Sequence, residues 1–397
     1  MPFTLRWAVF GTASSFAVYR CATLNVFYQG NMATKFVQDL LIDPATRDVN
    51  DLEHVLTAVL SSTSRERAEA FSAGFSQQTT TSVALYTKLQ DLVADVNVDA
   101  VYIASPTSKH YEHASICLKA GKAVLYMPFP TQPGSDCFLT IVTINAAQAE
   151  HLIALAQKHN ALLAEALWTR YFPLTQRVLD LIHRDKILGE LHRLTSDLSL
   201  DFARNDPAHS INNAELGGGA LLAVGVYPLT WALLALHDPS KKNELPQVSS
   251  SMIMADNGRG VLADQQTSVT LVYPETKRMA LVSCSLNMCT PHGRHVFIEG
   301  SKGTLTLPDS SYHPESIKID LFKTKTEPAL SRTEEFRIPG KGLFYQADAV
   351  ARAIRDGKTQ VEECTWDDSI LLMKAMDVAR ENCRFKYPEA LEATLHD

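Results

Sequence analysis

No two of the seven cysteines stand in C-x-x-C spacing, and their number is odd, so neither a disulfide framework nor a zinc site is written into the chain. A reducing cytosol suits such a protein, and a cytoplasmic location is expected. No apolar run reaches the roughly 18 residues that a membrane-spanning helix needs. The apolar start, MPFTLRWAVFGTASSFAVYRCATLNVFY, is broken by Arg6 and Arg20, which ranks a secretory signal behind a cytoplasmic start and a transmembrane helix behind both. No block of like charge occurs either. The 44 acidic and 37 basic side chains leave a net −7, without the basic stripe that marks nucleic-acid or anionic-membrane binding. The histidines lack metal-ligand spacing, and neither a Walker sequence nor G-x-S-x-G is present. No metal site is expected, and two large classes of phosphate and acyl chemistry lose their usual mark.

What the chain has is length and apolar content: 397 residues, 46% hydrophobic and 20% charged, suit a globular protein of two domains with a small-molecule partner. Over the first 165 residues strands and helices alternate. LRWAVF (5–10) is a strand that stops on Gly11, and HVLTAVLSS (54–62) is a second, followed by helical TSRERAEAF. AVYIAS ends a third at Pro106, and the amphipathic SKHYEHASICLKAGK after it closes on Gly121. Near-continuous apolar strands separated by helices imply a parallel sheet covered on both faces. A glycine turn after the first strand lets backbone amides and a helix start hold a pyrophosphate. The fold class is therefore α/β, with a Rossmann-type dinucleotide-binding domain over 1–165.

After ALLAEALWTRY the pattern changes. GGGALLAVGVYPLTWALLAL (217–236) reads as a glycine turn opening an apolar helix, and alternating runs from 247 to 307 read as antiparallel strands with hairpin turns at Pro274-Glu275 and Gly300 to Gly303. Residues 166–397 form an α+β domain with a large open-faced, mostly antiparallel sheet and closing helices near 345–356 and 366–383. Its exposed face should be apolar enough to need covering, so a homodimer is expected.

Five segments, YIASPTSKHYEHASICLKAGKAVL, EALWTRYFP, GGGALLAVGVYPLTW, EGSKGTLTL and YQADAVARAI, stand in an order that resembles the Gfo/Idh/MocA oxidoreductases, in the branch of dihydrodiol dehydrogenases and fungal NADP-linked D-xylose dehydrogenases. The resemblance covers nearly the whole chain. It implies a Rossmann domain joined to an open-faced sheet, and hydride transfer between NADP or NAD and a sugar or alcohol carbon. Three departures accompany it. The family's Glu-Lys-Pro at the fourth strand end reads Tyr126-Met127-Pro128-Phe129 here, so its lysine falls on Met127 or Pro128, neither of which carries a proton. The helix aspartate of GGGALLD-x-G-x-Y is Ala223, while Tyr227 is kept. Residues 13–29 and 130–142 interrupt segments that would otherwise read VFGTGNMATKF and MPFTINAAQAEHL. These inserts are either translated introns and gene-model errors or a remodelled cofactor site.

For the cofactor, Gly11, Thr12, Gly30, Asn31 and Met32 are the turn candidates. The second strand ends SSTSR without the acidic residue that holds a ribose hydroxyl, and Ser62 and Arg65 offer a 2′-phosphate partner instead, so NADP is favoured over NAD. The alternative for Arg65 is a solvated pair with Glu69. Ser105, Pro106 and His110 end the third of these strands, where the resemblance places the nicotinamide ribose; His110 is otherwise a helix residue without a chemical role. For catalysis the resemblance singles out Tyr227, with Arg170 and Trp168 beside nicotinamide and substrate. Trp168 is alternatively core packing, and Arg170 needs a buried partner, with Glu165 one candidate. The expected function is an NADP-dependent oxidoreductase on a sugar, small diol or carbonyl, with weakened catalytic equipment. The rival readings are a non-catalytic nucleotide-binding homologue and a redox-neutral cyclase or isomerase using the same pocket.

Overall fold

Short apolar runs whose side chains are buried on both faces pair side by side in the first part of the chain. In this computed structural model, which describes residues 1–11, 31–79, 81–126, 143–201, 210–241, 244–256, 260–326 and 328–395, they form β1 (Phe3–Phe10), β2 (Leu52–Leu60), β3 (Ala84–Tyr86), β4 (Ala100–Ile103), β5 (Ala123–Tyr126) and β6 (Leu163–Glu165). All pairs are parallel, in the order β3-β2-β1-β4-β5-β6. The order reverses between β1 and β4, the place where a doubly wound sheet opens a crevice at its carboxyl edge. The three residues of β3 are too few to carry an alternation that the sequence could show.

Helices α1 (Asn31–Leu40), α2 (Arg65–Ala73), α3 (Leu89–Val93), α4 (Thr107–Lys119) and α5 (Ala146–Lys158) connect these strands. Local chemistry starts two of them: Ser64 accepts from the Arg67 amide and Asn145 from the Gln148 amide. Gly121, at φ +71°, turns the chain out of α4.

The second sheet holds β7 (Leu191–Ser199), β8 (Gln247–Asp256), β9 (Leu262–Tyr273), β10 (Arg278–Ser285), β11 (Val296–Gly300), β12 (Gly303–Leu307), β13 (Ser316–Leu321) and β14 (Leu330–Glu335), in the order β14-β13-β12-β11-β7-β10-β9-β8. Every pair is antiparallel except β7 with β10. In β10, Ala280, Val282 and Cys284 point inward while Met279, Leu281 and Ser283 point out. The inner face packs on α7 (Val226–Leu236) and α9 (Trp366–Asn382), while α6 (Pro173–Leu179) touches β13.

The helix α8 (Phe344–Arg355) returns to the parallel sheet and packs on α1, β1 and β2. Polar groups hold it there. Asp39 of α1 accepts from the Lys341 and Leu343 amides at 3.0 and 2.7 Å, satisfying donors at the start of α8. Trp7 Nε1 donates to His54 Nδ1 at 3.1 Å; an indole N–H only donates, so Nδ1 is the acceptor and Nε2 carries the hydrogen that meets Asp348 Oδ1 at 2.8 Å. Arg47 completes the network with two bonds to Asp348 at 2.9 and 3.0 Å. Burial pushes the Asp348 carboxyl up, but the bonds from His54 and Arg47 outweigh it and hold it below the ordinary carboxylate range.

Replacing Asp348 by Ala strands Arg47 and His54 and should cost about 3–5 kcal/mol at pH 7 in urea unfolding. Because the folded value of Asp348 lies below the unfolded one, the gap between parent and variant is full above about pH 4 and closes as pH falls through the folded value. Equal unfolding midpoints at pH 7 would contradict the network's role.

Candidate active site

The carboxyl edge of the parallel sheet is drawn tight by glycine. Gly11 ends β1 at φ +113°, and a Cβ there would collide with the Ala104 carbonyl just past β4, so only glycine lets the two strand ends approach this closely. Its amide reaches the Leu60 carbonyl at the end of β2 at 3.4 Å. Ser105, 3% exposed, follows β4; its Oγ lies 2.8 Å from His113 Nδ1 and its carbonyl 2.5 Å from His110 Nε2. Since a carbonyl only accepts, His110 Nε2 carries a hydrogen. Pro106 then stands at the N-cap of α4 without a side-chain capping bond, leaving the first amides of that helix facing this edge. His113 packs 4.5 Å from Phe10, ring to ring, and burial pushes it down to about 4, so it is neutral at pH 7.

Other cofactor candidates are spread around this edge. Ser62 and Arg65 are exposed at the end of β2, and Arg65 meets Glu69 at 3.1 Å; such a solvated pair is worth about 0–1 kcal/mol and yields easily to a phosphate. Asn31 opens α1, and the Met32 side chain is buried in the core. Thr12, Gly30, Met127 and Pro128 lie outside the described residues.

The second half brings a helix to the same edge. Gly217 (φ +81°) faces Ile144 and Thr107, where a Cβ would stand 2.8 and 3.3 Å from their side chains, so the glycine turn rests against the start of α4. Asp264 of β9 accepts from the Leu221 amide and from Thr267 Oγ1, both at 2.7 Å, and so supplies the cap that the helix leading into α7 lacks locally; burial raises its carboxyl. Residues Leu221–Gly225 make a π-turn before α7, and Ala223 and Tyr227 lie one turn apart, both buried.

Tyr227 Oη accepts from Trp168 Nε1 at 3.0 Å, with both side chains at 0% exposure. Trp168 opens a turn (Trp168–Tyr171) directly after β6. The Tyr102 phenol of β4 is raised first by burial and further by Tyr227 and Asp39. Two aromatic residues cover the pair: Tyr312 stands 5.7 Å from Tyr227 and 6.1 Å from Trp168, and His313 stands 5.2 Å from Trp168. Their segment is tied down by Thr169 Oγ1 to the Tyr312 carbonyl (2.6 Å) and Trp231 Nε1 to the Ser311 carbonyl (2.8 Å).

Arg170 is engaged elsewhere. Its guanidinium meets Asp368 at 2.8 Å and the Glu363 carbonyl at 2.8 Å, at the start of α9. Burial works against its charge, and Cys364, Asp368 and Glu165 outweigh it to raise its value. Glu165 accepts instead from Ser369 Oγ at 2.6 Å. The structure thus brings Tyr227 and Trp168 together, places Gly11, Ser105, Pro106 and His110 on one edge, and gives Arg170 a partner on α9. His113, Asp264, Tyr312 and His313 were missed. Only His113 carried a signal, one turn beyond His110 on the same helix face.

The model of an oxidoreductase family with an NAD-binding Rossmann fold, GFO_IDH_MocA, matches residues 30–127, and that of the GFO/IDH/MocA C-terminal domain matches 175–306. The chain is 32% identical to the D-xylose 1-dehydrogenase (NADP(+)) of Hypocrea jecorina over 100% of its own length and 96% of the relative's. It is 26% identical to the trans-1,2-dihydrobenzene-1,2-diol dehydrogenase of Xenopus laevis, over 76% and 84% of the two chains. Its fold also matches a 3-ketoreductase from Actinomadura kijaniata in complex with NADP, with TM-score 0.68, 20% identity and coverage of 96% and 98%.

The folded value of His113, about 4, lies below the roughly 6.5 of an unfolded histidine, so the unfolded chain binds the extra proton between those values and stability falls as pH drops from 6.5 to 4. Urea midpoints of His113→Asn should fall less over this window than those of the parent. Parallel curves would contradict the buried, neutral imidazole.

Proposed function

The chain belongs to the GFO/IDH/MocA oxidoreductase family, and on that premise we propose that it is an NADP-dependent oxidoreductase acting on a carbonyl or hydroxyl carbon of a sugar or small diol. The observation that carries this reading is the buried Tyr227 phenol, held by Trp168 from the turn that follows β6. The carboxyl edge fits a dinucleotide: Gly11 closes it without a side chain, and the start of α4 presents amides to it. Ser62 and Arg65 are exposed at the end of β2, which supports them as partners for a 2′-phosphate. Bound there, the nicotinamide supplies or accepts the hydride.

Tyr227 handles the proton. At pH 7 a tyrosine of ordinary pKa, about 10, is ionised in only about one molecule in a thousand. The family's lysine position holds Met127 or Pro128, and its helix aspartate position holds Ala223. As a base for alcohol oxidation Tyr227 is therefore poorly equipped, whereas protonating a carbonyl oxygen uses the form already present. Reduction with NADPH should be less impaired than oxidation with NADP+.

The protein is proposed to be cytoplasmic; among the described residues no helix is long and apolar enough to cross a membrane. It is also proposed to be a homodimer through the open sheet face. On that side Ile253, Met279, Leu281 and Met288 are 60, 38, 40 and 53% exposed, and a hollow of about 760 Å³ is lined by Leu281 and Met288 together with Thr195, Ser268 and Ser283. Apolar side chains set among small hydroxyls suit a self-complementary twofold contact.

Three measurements test these readings. NADPH fluorescence should change on adding protein, an aldose or small diketone should then consume the NADPH absorbance, and Tyr227→Phe should lower that rate by about 10²-fold or more. No NADPH binding would overturn the reading, and binding without turnover would favour a non-catalytic homologue. In sedimentation the parent should run as a dimer and Leu281→Asp as a monomer; a monomeric parent would contradict the sheet-face contact.

A further inference from the structure

Each of the four indole nitrogens has an acceptor. Trp7 donates to His54 Nδ1, Trp231 to the Ser311 carbonyl, Trp366 to the Leu163 carbonyl and Trp168 to Tyr227 Oη. Two of these acceptors are carbonyls with no proton to give and one is a neutral imidazole, so only the phenol oxygen becomes an anion in the ordinary pH range. An indole N–H has no acceptor capacity, so the direction of the bond is fixed: Oη accepts, and the hydrogen of Tyr227 is aimed at a different acceptor. Neither ring is exposed, so the bond is shielded from water, where hydrogen bonds are stronger.

We infer that Trp168 is a positioning residue that acts through Tyr227, aiming the phenolic hydrogen at the substrate oxygen and stabilising the phenolate left behind; this rests on the proposed reductase reading. In that reaction the carbonyl carbon receives the hydride, and the electron pair of the broken C=O π bond goes to oxygen. The oxygen takes the proton from Tyr227 Oη. The products are the alcohol, NADP+ and a phenolate, which takes up a proton before the next turnover, so that one carbonyl, one NADPH and one proton are consumed. While the phenol is neutral the N–H···O bond is ordinary. As the proton leaves it becomes charge-assisted, roughly twice as strong. An interaction that strengthens on the way to the transition state raises kcat and leaves KM nearly unchanged. A tryptophan that merely packed the core would not discriminate in this way.

The Trp168→Phe variant keeps a ring and removes the N–H. Its kcat should fall about tenfold at unchanged KM, and the alkaline limb of its reduction profile should move up by about one pH unit, because loss of the phenolate's donor raises the phenol pKa. A second readout does not depend on activity. In protein carrying ¹⁵N-labelled indoles, the signal missing from Trp168→Phe identifies Trp168; in Tyr227→Phe, with Trp168 intact, that signal should shift while those of Trp7, Trp231 and Trp366 stay. A Trp168 signal unmoved in Tyr227→Phe overturns the inference. So does a Trp168→Phe profile lowered equally at every pH while Tyr227→Phe is inactive. Full activity in Tyr227→Phe with a shifted indole signal would instead sink the reductase reading and leave the hydrogen bond standing.

Discussion

The hydrogen bond from Trp168 to Tyr227 joins the strand end of one sheet to the helix that backs the other. Trp168 comes directly after β6, and Tyr227 sits in the first turn of α7. A buried indole N–H without an acceptor costs about 1–3 kcal/mol, so the helix is held where its phenol can meet that donor. The remaining features of the site arrange themselves around this junction. Gly217 lets the turn before α7 rest on α4, Asp264 caps the helix from β9, and the Ser311 to His313 segment covers the two rings. The site is assembled from segments far apart in the chain, and its geometry depends on both sheets being formed.

The same logic governs the return of α8. Its apolar face covers β1 and β2, but burial alone would leave it free to slide. Directional bonds from its leading amides to Asp39, and from Arg47 and His54 to Asp348, set its register. Buried charges of this kind contribute little net stability as pairs and are costly to break singly, which makes them better at fixing an arrangement than at strengthening it.

Much of this layout was legible from residue order. Continuous apolar runs announced the parallel sheet, alternating runs the second sheet, and Gly11, Ser105 and Tyr227 stood where strand ends and a glycine-led helix would place them. The illegible parts share physical reasons. The three residues of β3 are too few to show a period, and β13 and β14 follow a loop without a hairpin signal. Tyr312 and His313 belong to irregular backbone, where no spacing predicts which way a ring points. The neighbours of Arg170 in EALWTRYF gave no sign of its partner, Asp368, which comes from the capping box of α9, far along the chain. Local pattern reports which face a residue takes within its own element and is silent on which distant element supplies its partner.

The central claim is that the Tyr227 hydroxyl delivers the proton when a carbonyl is reduced at the carboxyl edge of the parallel sheet. A single-turnover experiment with NADPH deuterated at the transferring position, followed by mass analysis of the product, tests it most directly. The account predicts deuterium on the product carbon in the parent and a rate of its appearance lowered by about 10²-fold or more in Tyr227→Phe. Deuterium appearing equally fast in the phenylalanine variant, or in neither protein, would contradict it.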